Sequence, residues 1–275
     1  MDMTFKKEKG LTLIELLVAL VISVLIISGL YRTFIGQQKT YTVQDQIVDM
    51  QQNARTAVNR MMSDIRMAGF GNVSMVLPVT IGGRPFNNVV NLDTPAVGAL
   101  TILSGMGFTT LTGTPAPNQI TVNSLTDSQG NTLFDTGDRR YVSIGGVESY
   151  AITNIAGTTL TLGGNLTYNH LANTPVFAIR AISYQVSNVD GKPTLLRDEN
   201  VGLPIQDQLQ ADSIENLQFT YLDAGENPTA NPLNIRIIRI SLTARVERQD
   251  PDLNDGDGYR RRQIVSNVHL RNMGI

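Results

Sequence analysis

The residue with the clearest chemical potential is Glu15, the one carboxylate in an apolar run from Leu11 to Tyr31, at the fifth position after Gly10. A bilayer span needs about 20 predominantly apolar residues, and this run supplies them. An acid inside such a run is expensive, roughly 2.5–3.5 kcal/mol for Asp at a helix centre on insertion scales, and is read as functional by default. A second group is the acidic stretch 250–258, where Asp250, Asp252, Asn254, Asp255 and Asp257 could offer hard oxygens to Ca²⁺. That stretch fails the EF-hand pattern, because Asp255 stands where the glycine belongs and no glutamate closes the loop. The simpler reading is an exposed turn whose acids are neutralised by Arg260, Arg261 and Arg262. His170 and His269 are the only histidines, there is no cysteine, and neither histidine has a second ligand near it in sequence. No nucleophile elbow, zinc-helix or phosphate-loop motif occurs, so nothing points to an enzyme, a cofactor or a dedicated metal centre.

Composition narrows the rest. A net charge of −2 leaves no basic footprint for nucleic acid. Without cysteine, a domain outside the cytoplasm has no disulfides and rests on its core and hydrogen bonds. At 275 residues the chain can build such a core. Lys6, Lys7 and Lys9 precede the apolar run and favour a cytoplasmic leader. A cleaved secretory signal would have a shorter apolar core followed by a small-x-small site, and ISGLYRTFIG has none. An ordinary anchor fits the hydropathy but leaves Glu15 unexplained.

The elements that must position these groups follow from periodicity. No proline occurs before Pro78, so nothing forces the helix to stop after Tyr31. Ile47, Met50, Ala54, Val58, Met61, Ile65 and Ala68 recur at spacings of three and four, an amphipathic stripe. The methionines Met50, Met61 and Met62 are expected to be packing residues. Asp49, Asn53, Arg55, Arg60, Asp64 and Arg66 are assigned to the opposite face, with Arg60 and Asp64 at i,i+4. Gly69 and Gly71 supply a stop. The expected helix, from about residue 12 to 69, would be roughly 85 Å long at 1.5 Å per residue. Gly29 and Gly36 are the expected places for it to bend or melt.

Residues 72–275 read as β-rich. Short alternating runs lie at 100–103, 119–125, 141–144, 150–154 and 158–162. Runs at 182–187 and 194–197 flank Asp190 and Gly191, a hairpin turn pair. Leu217, Phe219 and Tyr221 share one face of a strand. So do Ile238, Ile240, Leu242, Ala244 and Val246, with Arg239, Ser241, Thr243, Arg245 and Glu247 opposite.

The N-terminal arrangement resembles the class III signal of type IV pilins and type II secretion pseudopilins, with Gly10 as the last leader residue, Leu11 as the first mature residue and Glu15 as the family's acid. Leu11 departs from the usual phenylalanine. The segments NARTAVNRMMSDIRMAGFG (53–71), DSIENLQFTYLD (212–223), IRIIRISLTARVE (235–247) and VSNVHLRNMGI (265–275) are similar to PilW-type minor pilins and, in layout, to J-type pseudopilins. The resemblance covers both ends of the chain and not the stretch from about 73 to 180.

The resemblance implies an α+β, pilin-like fold: one long N-terminal helix, membrane-spanning then amphipathic, packed on an antiparallel β-rich domain. It implies a leader at 1–10, a transmembrane or filament-core half at 11–31, an amphipathic half at 32–71 and a periplasmic or extracellular globular domain at 72–275. Prepilin peptidase would cut after Gly10 and methylate Leu11, and Glu15 would pair with the N-terminal amine of an adjacent subunit. The implied role is that of a minor pilin in type IV pilus assembly or at the pilus tip, bearing on adhesion and twitching motility. Its implied partners are the inner membrane, other minor pilins, the major pilin and a tip adhesin. A type II secretion pseudopilin and a membrane-anchored surface-binding module are the alternatives.

Overall fold

The computed structural model describes residues 12–71, 77, 79–81, 84–92, 99–137, 139–199, 208–250, 252–253 and 256–273. Its first element is a helix, α1, at Leu13–Arg66. Two compact units divide at Val48 and Asp49. In the first unit the helix is apolar and exposed, from Leu13 at 80% onward, with a window long and apolar enough to cross a membrane.

Contrary to the expectation from their low propensity, Gly29 and Gly36 do not interrupt α1. One glycine costs only about 1 kcal/mol relative to alanine, and the hydrogen-bond ladder on either side carries it. The Thr33 and Thr40 hydroxyls donate back to the Gly29 and Gly36 carbonyls at 3.1 and 3.0 Å. Hydroxyls on an apolar helix are satisfied in this way without a partner from outside.

In the second unit the end of α1 is a packing element. Met50, Ala54, Val58, Met61 and Ile65 are buried, as the stripe predicts, together with Ala57. The helix ends at Arg66, and Gly69 follows with φ +77°. A side chain at Gly69 would overlap the Asn272 carbonyl. Gly69 N–H donates to the Leu103 carbonyl, Gly105 N–H donates to Phe70, and the Ser104 hydroxyl donates to Met67. Asn272 donates to the Arg66 and Ala68 carbonyls. The orphan carbonyls of a helix end are thus taken up by a strand and by the C-terminal segment.

The strands form three antiparallel sheets. β1 (Val79–Ile81) and β2 (Arg84–Phe86) make a small ribbon. The main sheet contains β3 (Val90–Asn91), β4 (Leu100–Thr110), β5 (Gln119–Thr121), β6 (Tyr141–Ile144), β7 (Glu148–Ala156), β8 (Thr159–Leu162), β9 (Pro175–Val189), β10 (Lys192–Glu199) and β11 (Gln208–Asp212). β9 is its spine: β4 pairs along it, while β6 and β10 pair with its two halves. The β9–β10 turn is Asp190-Gly191 with φ of +51° and +80°, the primed geometry that matches strand twist.

The stretch that resembled nothing at sequence level closes on itself. From β4 the neighbours run β9, β6, β7, β8, β5. The end of β5 returns to β4 through a Leu111–Val122 bridge and the Asn123 N–H bond to the Thr110 carbonyl. This small barrel has its own core of Leu111, Ile120, Val122, Leu133, Phe134, Val142, Ile144, Ile152, Leu160, Leu162 and Val176. Closing the ring removes the free edges that an open sheet would expose.

The third sheet, β12 (Ile214–Leu222), β13 (Ile237–Arg245) and β14 (Arg261–His269), follows the sequence pattern closely. Ile238, Ile240, Leu242, Ala244 and Val246 are buried, while Arg239, Ser241, Thr243 and Arg245 are partly exposed. The chain is an α+β protein with one long N-terminal helix and an antiparallel β-rich domain.

Candidate assembly segment and buried polar clusters

Gly10 and Leu11 lie outside the described residues. Glu15 is the third residue of α1, and Thr12 is its N-cap. The Thr12 N–H and hydroxyl both donate to Glu15 Oε2 at 2.9 Å, while Glu15 N–H donates back to the Thr12 hydroxyl at 3.3 Å. This is a reciprocal capping box, which satisfies orphan donors of the first turn. Its T-x-x-E signal was present in the sequence and is invisible if Glu15 is weighed only as an acid among apolar residues. Glu15 Oε1 has no partner among the described residues, so one carboxylate oxygen is held and the other is open.

The acidic stretch is tied to arginines. Asp250 is buried, and its Oδ2 accepts from Arg260 Nε and NH2, both at 2.7 Å. Asp257 accepts from Arg261 NH1 at 2.8 Å and NH2 at 2.5 Å, and the same guanidinium reaches Glu215. Hydrogen bonds from Arg261 hold the Asp257 carboxyl well below the usual carboxylate range, and lower that of Glu215 as well. Asp252 is exposed, with its N–H on Asp250 Oδ1. Asn254 and Asp255 lie outside the described residues. Among the described residues no three acidic or histidine side chains converge on a metal position.

Asp64 overturns its sequence assignment. It is not on the polar face but 7% exposed in the core. Its Oδ2 accepts from Arg197 Nε at 2.7 Å and from the Tyr184 hydroxyl at 2.5 Å. The expected Arg60 partner is present but looser, at 3.6 Å. Tyr184 and Arg197 are direct cross-strand neighbours on β9 and β10, so one carboxylate on the helix joins both strands. Glu199 then takes Arg197 NH1 at 2.5 Å and Arg180 NH1 at 2.8 Å. Burial opposes ionisation of Glu199, but Arg180 and Arg197 outweigh it and lower its pKa. Burial, reinforced by the Asp64 charge, pushes the Tyr184 hydroxyl far up, so it stays a donor. The available signal was spacing: Asp64 falls three after Met61 and four before Ala68, on the apolar stripe.

His170 is likewise not a surface residue. Its Nε2 lies 2.5 Å from Glu148 Oε1, and both side chains are buried. Glu148 Oε2 also accepts from the Tyr150 hydroxyl at 2.7 Å and from Thr167 N–H at 2.9 Å. Burial would raise the Glu148 pKa, but the Thr167 N–H, His170 and Tyr150 together lower it. His269 is exposed on β14.

With this geometry in place, residues 5–31 match the family model for the prokaryotic N-terminal methylation motif. Neither a curated protein nor a solved structure matches the chain. The motif, on an apolar helix that opens an α+β chain, supports a type IV pilin-like or pseudopilin protein. Proteins of that class are processed by prepilin peptidase, are anchored by a single span and assemble with other pilins; their role is generally structural.

Proposed function

We propose that the protein is a minor pilin of a type IV pilus, of the PilW type, acting in assembly initiation or at the pilus tip. The observation that carries this is the methylation motif over residues 5–31 continuing directly into the exposed apolar part of α1. Prepilin peptidase cuts after Gly10 and methylates Leu11, with the leader cytoplasmic and the β-rich domain periplasmic. Before assembly the apolar segment rests in the inner membrane. In the filament it packs among helices of other minor pilins and of the major pilin, where its side chains exchange lipid for neighbouring side chains.

Glu15 pairs there with the N-terminal amine of an adjacent subunit. Thr12 fixes Oε2, which leaves Oε1 to face that amine. A charge left alone in such a low-dielectric bundle costs several kcal/mol, so the pair sets subunit register. The minor role is supported by the bulk of the β-rich domain, which a densely repeated shaft accommodates poorly and a tip accommodates easily; a tip adhesin above it is the remaining partner.

The test is co-expression of the full chain with a prepilin peptidase, followed by mass spectrometry of the mature N-terminus. A methylated Leu11 is expected. An intact leader beside an active peptidase sinks the reading. Loss of pili in a deletion strain then separates the pilus role from a secretion pseudopilin, whose loss abolishes protein export instead.

A further inference from the structure

The segment from Gly163 to Thr174 has no regular secondary structure, yet the rest of the barrel holds it at close intervals. Tyr150 donates to the Asn165 carbonyl at 2.7 Å, and Leu166 N–H donates to Pro117 at 2.6 Å. Thr167 N–H and Tyr168 N–H reach Glu148 at 2.9 and 3.4 Å, and His170 joins the same carboxylate. Asn173, at φ +67°, donates to Leu111 at 2.8 Å. A loop of this length without secondary structure is uncommon unless it is functional. Here a buried carboxylate is committed to fixing it.

What the fixed loop presents is specific. Tyr168 is 56% and Leu171 74% exposed. The side-chain amides of Asn165, Asn169 and Asn173 are exposed, and neither they nor the Tyr168 hydroxyl have a hydrogen-bond partner among the described residues. No Asp, Glu, Lys or Arg occurs between Gly163 and Thr174. The loop therefore offers an aromatic face with a polar tip, three groups that each both donate and accept, and no charge. An acidic, basic or phosphorylated partner finds nothing there to neutralise it. A ligand whose surface alternates apolar C–H faces with uncharged hydroxyls matches it group for group.

We infer that this loop is a binding site for a neutral polysaccharide. Tyr168 stacks on a sugar face, and Asn165, Asn169 and Asn173 bond its hydroxyls. Glu148 is a positioning residue that touches no ligand; it holds the loop in its binding geometry, so that little ordering entropy is lost on association. The site is independent of the N-terminal motif, so it stands or falls separately from the pilus role.

The test is calorimetric titration of the full chain in detergent with cellotetraose, chitotetraose and mannotetraose. At least one is expected to bind, with Tyr168→Ala weakening it about tenfold or more. Leu233→Ala, at an exposed apolar position outside the loop, is expected to leave affinity unchanged. Glu148→Gln is expected to weaken binding together with faster amide exchange across 163–174, a readout that loss of a direct contact would not move. The inference is overturned if none of the three sugars binds below about 10 mM, or if Tyr168→Ala binds like the parent. It is overturned equally if the loop takes up an apolar peptide and no sugar, which would make it a protein contact.

Discussion

Arg197 on β10 donates its Nε to Asp64 on the last turn of α1 at 2.7 Å, across a sequence separation of 133 residues. Arg197 is 1% exposed and Asp64 7%. The contact is therefore a buried, charge-assisted hydrogen bond that fixes where the end of the helix lies on the strands beneath it. Apolar packing alone would tolerate a helix slipped or turned by a residue. This carboxylate does not, because any other register buries it without its donors.

Replacing Asp64 with Ala is accordingly expected to cost about 3–5 kcal/mol, since it strands a buried guanidinium. Urea unfolding of the full chain in detergent reads this directly. The paired change Asp64→Leu with Arg197→Met is expected to recover a substantial part of the loss. A single-variant loss below about 1 kcal/mol would mean that the network contributes little.

Two glycine substitutions are expected to differ in sign. Gly69→Ala forces a Cβ onto the Asn272 carbonyl at a positive φ and is expected to destabilise by roughly 1–3 kcal/mol or more. Gly36→Ala meets nothing within 4 Å on a helix and is expected to be neutral or to stabilise α1 by up to about 1 kcal/mol. Melting of the two variants side by side decides it.

The pH profile has two limbs. Glu148 and Glu199 are lowered in the folded state, so the unfolded chain binds more protons and stability falls as pH drops below about 4.3, the ordinary glutamate value. Burial pushes the Tyr221 hydroxyl up to about 12 and raises Tyr184 as well. Stability is then lost as pH rises above about 10, the ordinary tyrosine value, because the unfolded tyrosines ionise first. Chemical denaturation across this range should show a plateau between the limbs. A loss centred near neutrality would contradict it.

Thr12 and Glu15 are separable. Thr12→Val removes the cap at a cost of about 1 kcal/mol but leaves the carboxylate; processing is expected and pilus number should fall only modestly. Glu15→Ala is expected to be membrane-inserted and processed, yet to support no pili. Pilus counts by electron microscopy, alongside mass spectrometry of the N-terminus, distinguish the two.

Calcium is expected to leave the melting temperature of the chain unchanged, as is chelation with EDTA. Asp250 and Asp257 already spend their oxygens on Arg260 and Arg261. A calcium-dependent rise in melting temperature would show that the ion displaces those arginines.

The amino-acid order by itself determined every feature written in short-range periodicity. The apolar run with Glu15, the stripe from Met50 to Ile65, the Asp190-Gly191 hairpin and the alternation of β13 each depend on residues a few positions apart, where backbone geometry alone dictates which side chains share a face. The tertiary structure decided what depends on distant partners. Asp64 becomes a core residue because Tyr184 and Arg197 arrive from strands far along the chain. His170 becomes buried because Glu148 gathers a loop around itself, and the central stretch becomes a barrel because Leu111 and Val122 meet. In each case a polar or edge group is too costly to bury alone and inexpensive once its partner is in place, and the presence of that partner is a property of the fold.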